Sequence, residues 1–183
     1  MTRDDLLDRA AAALVALASD RPWTAIALRD VARTAGVSLQ DLYAHAPTKR
    51  AIADWLARRF DLAALKGAED GDGEDLHDRL FDAAMRRIEA MEPHRAALTL
   101  IHRADPAGTA MRLPRTARAL LEAAGVDTSG KRGVARVAAM TAVWARVLQV
   151  WRDDEGALNR TMAELDKRLK DWRRRLDQVG VGA

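Results

Sequence analysis

Between positions 38 and 49 the chain gathers Ser38, Gln40, Tyr43, His45, Thr48 and Lys49. Each has a hydrogen-bonding group suited to a nucleic-acid surface. Glutamine can pair bidentately with adenine, serine and tyrosine hydroxyls can donate to phosphate oxygens, and a lysine at a helix start can anchor a phosphate. Gly36-Val37-Ser38 stands just before them, between two short helical segments. A turn between helices needs a residue that tolerates positive φ, and Gly36 supplies one. The pair has the dimensions of a helix-turn-helix, whose second helix presents its N-terminal residues to a duplex. A glycine-turned helix pair can also serve packing alone, and both readings stand at this point.

Other chemistries find little support. The four histidines, His45, His77, His94 and His102, include no i, i+4 pair with a carboxylate companion, so no metal site is expected. With Cys 0, disulfides, thiolate zinc sites, iron–sulfur clusters and cysteine nucleophiles are excluded. There is neither a glycine-rich phosphate loop nor a nucleophile elbow, and the carboxylates fall mostly on charged helix faces. No enzyme activity and no cofactor are expected.

The length of 183 residues allows a substantial core, and 49% hydrophobic with 31% charged residues is ordinary for a soluble chain. The formal net charge is only +3. Residues 1–66 carry ten Lys/Arg against eight Asp/Glu, so the bulk field does not argue for nucleic acid, and the local motif must. No apolar run approaches the roughly 18 residues of a membrane span. The acidic start Met1-Thr2-Arg3-Asp4-Asp5 lacks a signal-peptide pattern, and a cytoplasmic location is expected.

Helical periodicity dominates the elements that must position these residues. The first helix is expected at 4–18, with Leu6, Leu7, Ala10, Leu14 and Leu17 on one face, ended by Ser19-Asp20-Arg21-Pro22. Short helices follow at 28–35 and 39–44, the first stopped by Gly36 and the second capped by Ser38. Thr48 caps a longer helix at 49–66. The glycine- and acid-rich stretch 67–75 is the best candidate boundary. Further helices are expected at about 74–90, 94–103, 108–124, 132–152 and 157–178, with Pro114 kinking or interrupting its helix. The fold class is therefore all-α, with about nine helices: a helix-turn-helix headpiece at 1–46 and a helical bundle at 47–183.

The last helix carries a heptad seam, Leu158, Met162, Leu165, Leu169, Trp172, Leu176 and Val179. The helix before it has apolar residues around much of its circumference, Trp144 and Trp151 among them. Together they form a helical hairpin. Either one of its surfaces meets the chain's own core and the other only Lys and Arg stems, or the hairpin builds a four-helix homodimer interface in which Trp151, Leu158, Met162, Leu165, Leu169 and Trp172 take part. Met85, Ile88, Met91, Leu98, Ile101, Met111, Leu120, Met140 and Trp144 are candidates either for bundle core or for the lining of a pocket holding a small, mainly apolar molecule. Arg173-Arg174-Arg175 beside Trp172 suits a lipid interface or, more simply, a solvated helix end; no stable membrane insertion is expected.

The stretch Leu6 to Leu56 resembles the headpiece of tetracycline-repressor (TetR) family regulators. The resemblance rests on the amphipathic first helix, Trp23-Thr24, Leu28-Arg29-Asp30-Val31-Ala32, Ala35-Gly36-Val37-Ser38, Leu42-Tyr43, His45 and Thr48-Lys49. It implies DNA contact by Ser38, Gln40, Tyr43, His45, Thr48 and Lys49. It also implies a ligand pocket in the middle helices and a dimer built by the last two. The chain departs from the family's pattern at Leu39, Gln40, Asp41 and Ala46, and from Thr34 to Pro47 it has no Lys or Arg and one carboxylate. Weak non-specific DNA affinity follows, unless Arg29, Arg33, Lys49 and Arg50 compensate.

A second resemblance, carried by Asp78-Arg79-Leu80-Phe81-Asp82, Met85-Arg86-Arg87, Glu89, Leu121 to Gly125, Trp151 to Asp154 and Thr161 to Asp166, is to ubiquinone-biosynthesis accessory proteins of the same fold. Those bind isoprenoid or phospholipid tails. The leading expectation is a TetR-like, ligand-responsive, homodimeric repressor that binds a double-stranded DNA operator and is released by a small, mainly apolar effector, with the helix from Lys49 as the lever. The alternative is a non-catalytic lipid- or isoprenoid-binding protein.

Overall fold

The computed structural model describes residues 1–68, 75–154 and 156–178, the side chains of 176 and 177 excepted. The helices run α1 Arg3–Asp20, α2 Leu28–Ala35, α3 Leu39–His45, α4 Lys49–Leu65, α5 Leu76–Met91, α6 Arg95–Ala104, α7 Pro106–Ala123, α8 Gly130–Arg152 and α9 Asn159–Gln178. Single 3-10 turns occupy Trp23–Ala25 and Glu92–His94. No strand occurs among the described residues, and the fold is all-α. The boundary expected at 67–75 falls mostly outside the described residues, as do the Leu176 side chain and Val179 of the heptad seam.

Local sequence explains most helix ends. Thr2 and Asp5 form a reciprocal capping box on α1, each side chain bonded to the other's backbone N–H at 3.1 Å. Gly36 closes α2 at φ 64, with the Val37 N–H donating to the Ala32 carbonyl at 3.0 Å. Of the two outcomes expected at Pro114, a kink or an interruption, the second is corrected at α7. The helix starts at Pro106 and runs through Pro114 without interruption. Proline suits the first helical position because no N–H partner is needed there. Pro114 and Ala110, whose carbonyl a non-proline residue would have bonded, are both exposed, so water can serve that carbonyl.

The chain divides into two compact units, one of residues 1–59 and 93–109, the other of 60–92 and 110–183. The first unit extends past the expected headpiece at 1–46. Its centre is α1, which packs on α2, α3 and α6. Leu7 and Leu14 of α1, Val31 of α2, Leu42 of α3, Ile52 of α4 and Ile101 of α6 are all buried.

In the second unit α9 packs on α8 and α5. The polar interior of this unit is a finding that the sequence reading lacked. Arg87 of α5 is 4% exposed and Asp61 of α4 is 5% exposed. The Arg87 Nε donates to Asp61 Oδ1 at 2.9 Å, and Arg115 of α7 donates to Oδ2 at 3.0 Å. Thr116 accepts from Arg87 and donates to Asp61 at 2.8 Å. The Arg87 guanidinium also lies over the Trp144 ring, 4.8 Å from its centroid. Burial pulls the Arg87 pKa below the ordinary arginine value, against the raising effect of Asp61.

A buried ion pair broken on one side leaves a charge without compensation, at about 3–5 kcal/mol. We therefore expect Asp61→Ala to lower unfolding stability by that order in denaturant titration. Arg59, which pairs with Asp8 on the half-exposed surface, should cost under about 1 kcal/mol when changed to alanine.

Candidate nucleic-acid interface

Helix α3 is only seven residues long and is held by one buried side chain, Leu42, with Ala46 buried just after it. The remaining side chains of its outward face are in solvent. Leu39 is 44% exposed and Tyr43 is 62% exposed, and Gln40, Asp41, Ala44 and His45 are exposed as well.

Ser38 caps this helix. Its Oγ accepts the Asp41 N–H at 3.0 Å and donates to Asp41 Oδ2 at 2.7 Å. The carboxylate that looked out of place on a DNA-facing helix thus has a local partner, and acid in a first helical turn is favourable. The Ser38 hydroxyl is committed to the cap. Thr48 serves α4 in the same way, its Oγ1 accepting the Ala51 N–H at 3.1 Å.

The cations that flank α3 are mostly engaged. Lys49 Nζ donates to the Trp23 carbonyl and sits 4.7 Å from the centroid of that ring. Burial lowers the Lys49 pKa below the ordinary lysine value. Arg33 pairs with Asp30 at 2.8 Å, and Asp30 also accepts the Ala27 N–H at 3.0 Å. That backbone bond, ahead of the neighbouring arginines, holds the Asp30 pKa below the usual carboxylate value. Arg50 makes a two-pronged contact with Asp105, from Nε at 3.1 Å and from Nη2 at 2.5 Å. The hydrogen bond to Asp105 raises the Arg50 pKa further. Asp105 is buried and accepts the Gly108 N–H at 3.1 Å. A Cβ on Gly108 would lie 2.0 Å from Asp105 Oδ2, so only glycine permits this approach.

The pocket candidates are distributed over both units. Ile88, Met140 and Trp144 are buried in the second unit, and Met85 is half-buried there. Leu98 and Ile101 belong to the first unit, where α6 packs on α1. Met111 is 74% exposed. The buried group that the sequence reading missed is Arg87 with Asp61. A signal existed: Arg87 stands three, seven and four residues from Ala84, Leu80 and Met91, on the apolar stripe of α5.

The heptad seam is likewise used inside the protomer. Leu165, Leu169 and Trp172 are buried where α9 packs on its own chain, and Trp151 is fully buried with its Nε1 donating to Glu92 at 2.9 Å. Met162 and Leu158 are half-buried, the latter at φ 54 just before α9. On α8 another face is open, where Val134 is 65% exposed and Ala135, Ala138 and Ala142 are exposed in the same row. A recess of about 140 Å³ at one end of this row is lined by Ala139, Ala142 and Val143 of α8 and by Trp172 of α9, whose buried Nε1 has no hydrogen-bond partner among the described residues. Among the described residues no helix is long and apolar enough to cross a membrane, and no cluster of metal-ligating side chains occurs.

No protein-family model matches this sequence, and no curated protein does. Solved structures do match in fold. A TetR transcriptional regulator from Nitrosomonas europaea ATCC 19718 aligns at TM-score 0.69 and 24% identity, over 90% of this chain and 96% of that one. A TetR transcriptional regulator from Rhodococcus sp. RHA1 aligns at TM-score 0.62 and 16% identity, over 92% and 95%. The dihydroxyacetone kinase operon activator DhaS aligns at 0.59 and 10%, over 94% and 97%. The chain therefore has a TetR-like fold.

Ser38→Ala removes the α3 cap and leaves Asp41 without its hydroxyl partner. The expected cost is about 1 kcal/mol of unfolding stability in denaturant titration, with the helical content of the folded protein unchanged.

Proposed function

We propose that the protein is a homodimeric, DNA-binding transcriptional regulator of the TetR type, acting as a repressor released by a small effector. The observation that carries this reading is the exposed face of α3. Gln40, Tyr43 and His45 project from a helix that follows a left-handed glycine turn and is anchored on α1 through Leu42, in a fold shared with known regulators. Two such helices, one per protomer, would enter successive major grooves about one helical turn apart.

The dimer is assigned to the outer row of α8, Val134, Ala135, Ala138 and Ala142, together with the Trp172 recess. Small exposed residues let a second helix approach closely, and a partner acceptor would satisfy the Trp172 indole N–H. An effector is assigned to the interior of the second unit around Arg87 and Trp144. Asp61 and Arg87 link α4 to α5 there, so a molecule that competes for either changes the setting of α4. The effector expected from the sequence is small and mainly apolar, and an acidic head group on it would suit Arg87. Such release requires that the ligand favour one setting by differential affinity.

One observation favours the second reading, a lipid or isoprenoid carrier on the same fold: Arg33, Lys49 and Arg50 beside α3 are all engaged within the protein. A single experiment separates the two. The purified full chain is used to select bound duplexes from a random library, and native mass spectrometry of the same preparation reads its mass. The regulator reading expects an empty dimer and an enriched, twofold-symmetric sequence. Tyr43→Ala should then weaken binding to that sequence by about tenfold or more without changing thermal stability. A retained lipid with no enriched sequence overturns it.

A further inference from the structure

We propose that Leu39 reads the 5-methyl group of a thymine, one in each half-site, and that this apolar contact is a determinant of operator choice. The inference rests on the regulator reading and names what α3 would recognise. Leu39 is the first residue of α3 and is 44% exposed, while Leu42, which anchors the same helix, is fully buried. Tyr43 stands one turn further along the same side and is 62% exposed, so the face presents an aliphatic group and a ring side by side.

Two polar groups at the start of this helix are already committed. The Ser38 hydroxyl and the Asp41 carboxylate bind one another, and no Lys or Arg lies between Thr34 and Pro47. Charge therefore offers this surface little phosphate attraction, and the edges of the bases must supply much of any affinity. Of the groups that base pairs display in the major groove, the one apolar group is the thymine methyl. An aliphatic side chain at the front of a recognition helix can discriminate by favourable contact only there. Gln40, exposed beside it, is suited to adenine, so the two neighbours favour A·T pairs together.

The test uses the duplex enriched by selection. Each thymine of a half-site is replaced in turn by deoxyuridine, which keeps the base pair and removes only the methyl. The full-length wild type and Leu39→Ala are titrated against every duplex. One thymine per half-site should prove sensitive, its demethylation weakening wild-type binding about three- to tenfold, the order expected for one buried methyl group or two. Leu39→Ala should lose a similar factor on the thymine duplex and nothing further on the deoxyuridine duplex, and Leu39→Met should retain most of the sensitivity. Thermal melting shows whether each variant is folded as the wild type is. Losses that simply multiply, or no sensitive thymine, overturn the inference and leave the regulator reading intact. Failure to select any duplex overturns both, and Leu39-dependent binding to phospholipid vesicles in that case would give the residue to a lipid surface.

Discussion

A charge buried beyond the reach of water constrains everything packed around it, and in this protein that charge is the Arg87 guanidinium. Its partners come from three directions: Asp61 on α4, Thr116 on α7, and the Trp144 ring on α8, while Arg115 of α7 holds the other oxygen of Asp61. Dispersion contacts between helices tolerate sliding, whereas a carboxylate that accepts from two guanidinium groups and a hydroxyl tolerates little. The cluster does not make the bundle more stable than a well-packed apolar core would be, since desolvation offsets most of the attraction. Its effect is on register. Any displacement of α4 along α5 would separate Asp61 from Arg87 and leave both without compensation. The cluster thus gives the second unit a strongly preferred setting, which a ligand could alter only by replacing one of those contacts.

The headpiece was legible in the sequence because its determinants are local. Gly36 fixes a left-handed turn, Ser38 caps the next helix, and the apolar spacing of α1 selects the face that α2, α3 and α6 cover. Each of these follows from a residue and its near neighbours. The Thr2–Asp5 box and the Ser38–Asp41 pair are of the same kind, an oxygen three residues from the group it satisfies.

The second unit was legible in its helices but not in their partners. Periodicity shows that Leu165, Leu169 and Trp172 share a face; it does not show which chain covers that face, and the protomer's own helices do. The pocket candidates are divided between the two units for a related reason. Leu98 and Ile101 have the spacing of a core face, and that core belongs to α1. Arg87 is hard to place from its type, because charge usually signals solvent, although its position on the α5 stripe puts it inside. Composition gives the cost of burying an arginine but not the location of the groups that offset it, Asp61 and Thr116, twenty-six and twenty-nine residues away on either side.

The same distinction bears on how this surface would meet a nucleic acid. Lys49, Arg33 and Arg50 would supply much of a generic phosphate-binding surface, and all three are tied to groups of their own chain. Each contact to phosphate would have to displace a carbonyl or a carboxylate already in place, so the gain from neutralising the duplex is reduced by the loss of an internal pair. Counterion release, the sequence-independent part of DNA binding, shrinks accordingly. What remains is the outward face of α3, where Leu39, Gln40 and Tyr43 have no internal role comparable to that of Ser38 or Leu42. A recognition surface with little general attraction can still be selective, because selectivity depends on the difference between right and wrong bases and not on their common affinity. On the proposed regulator reading, the departures of this chain from the pattern of its resemblance would have one physical sense: they would move the interaction from the phosphates to the base edges.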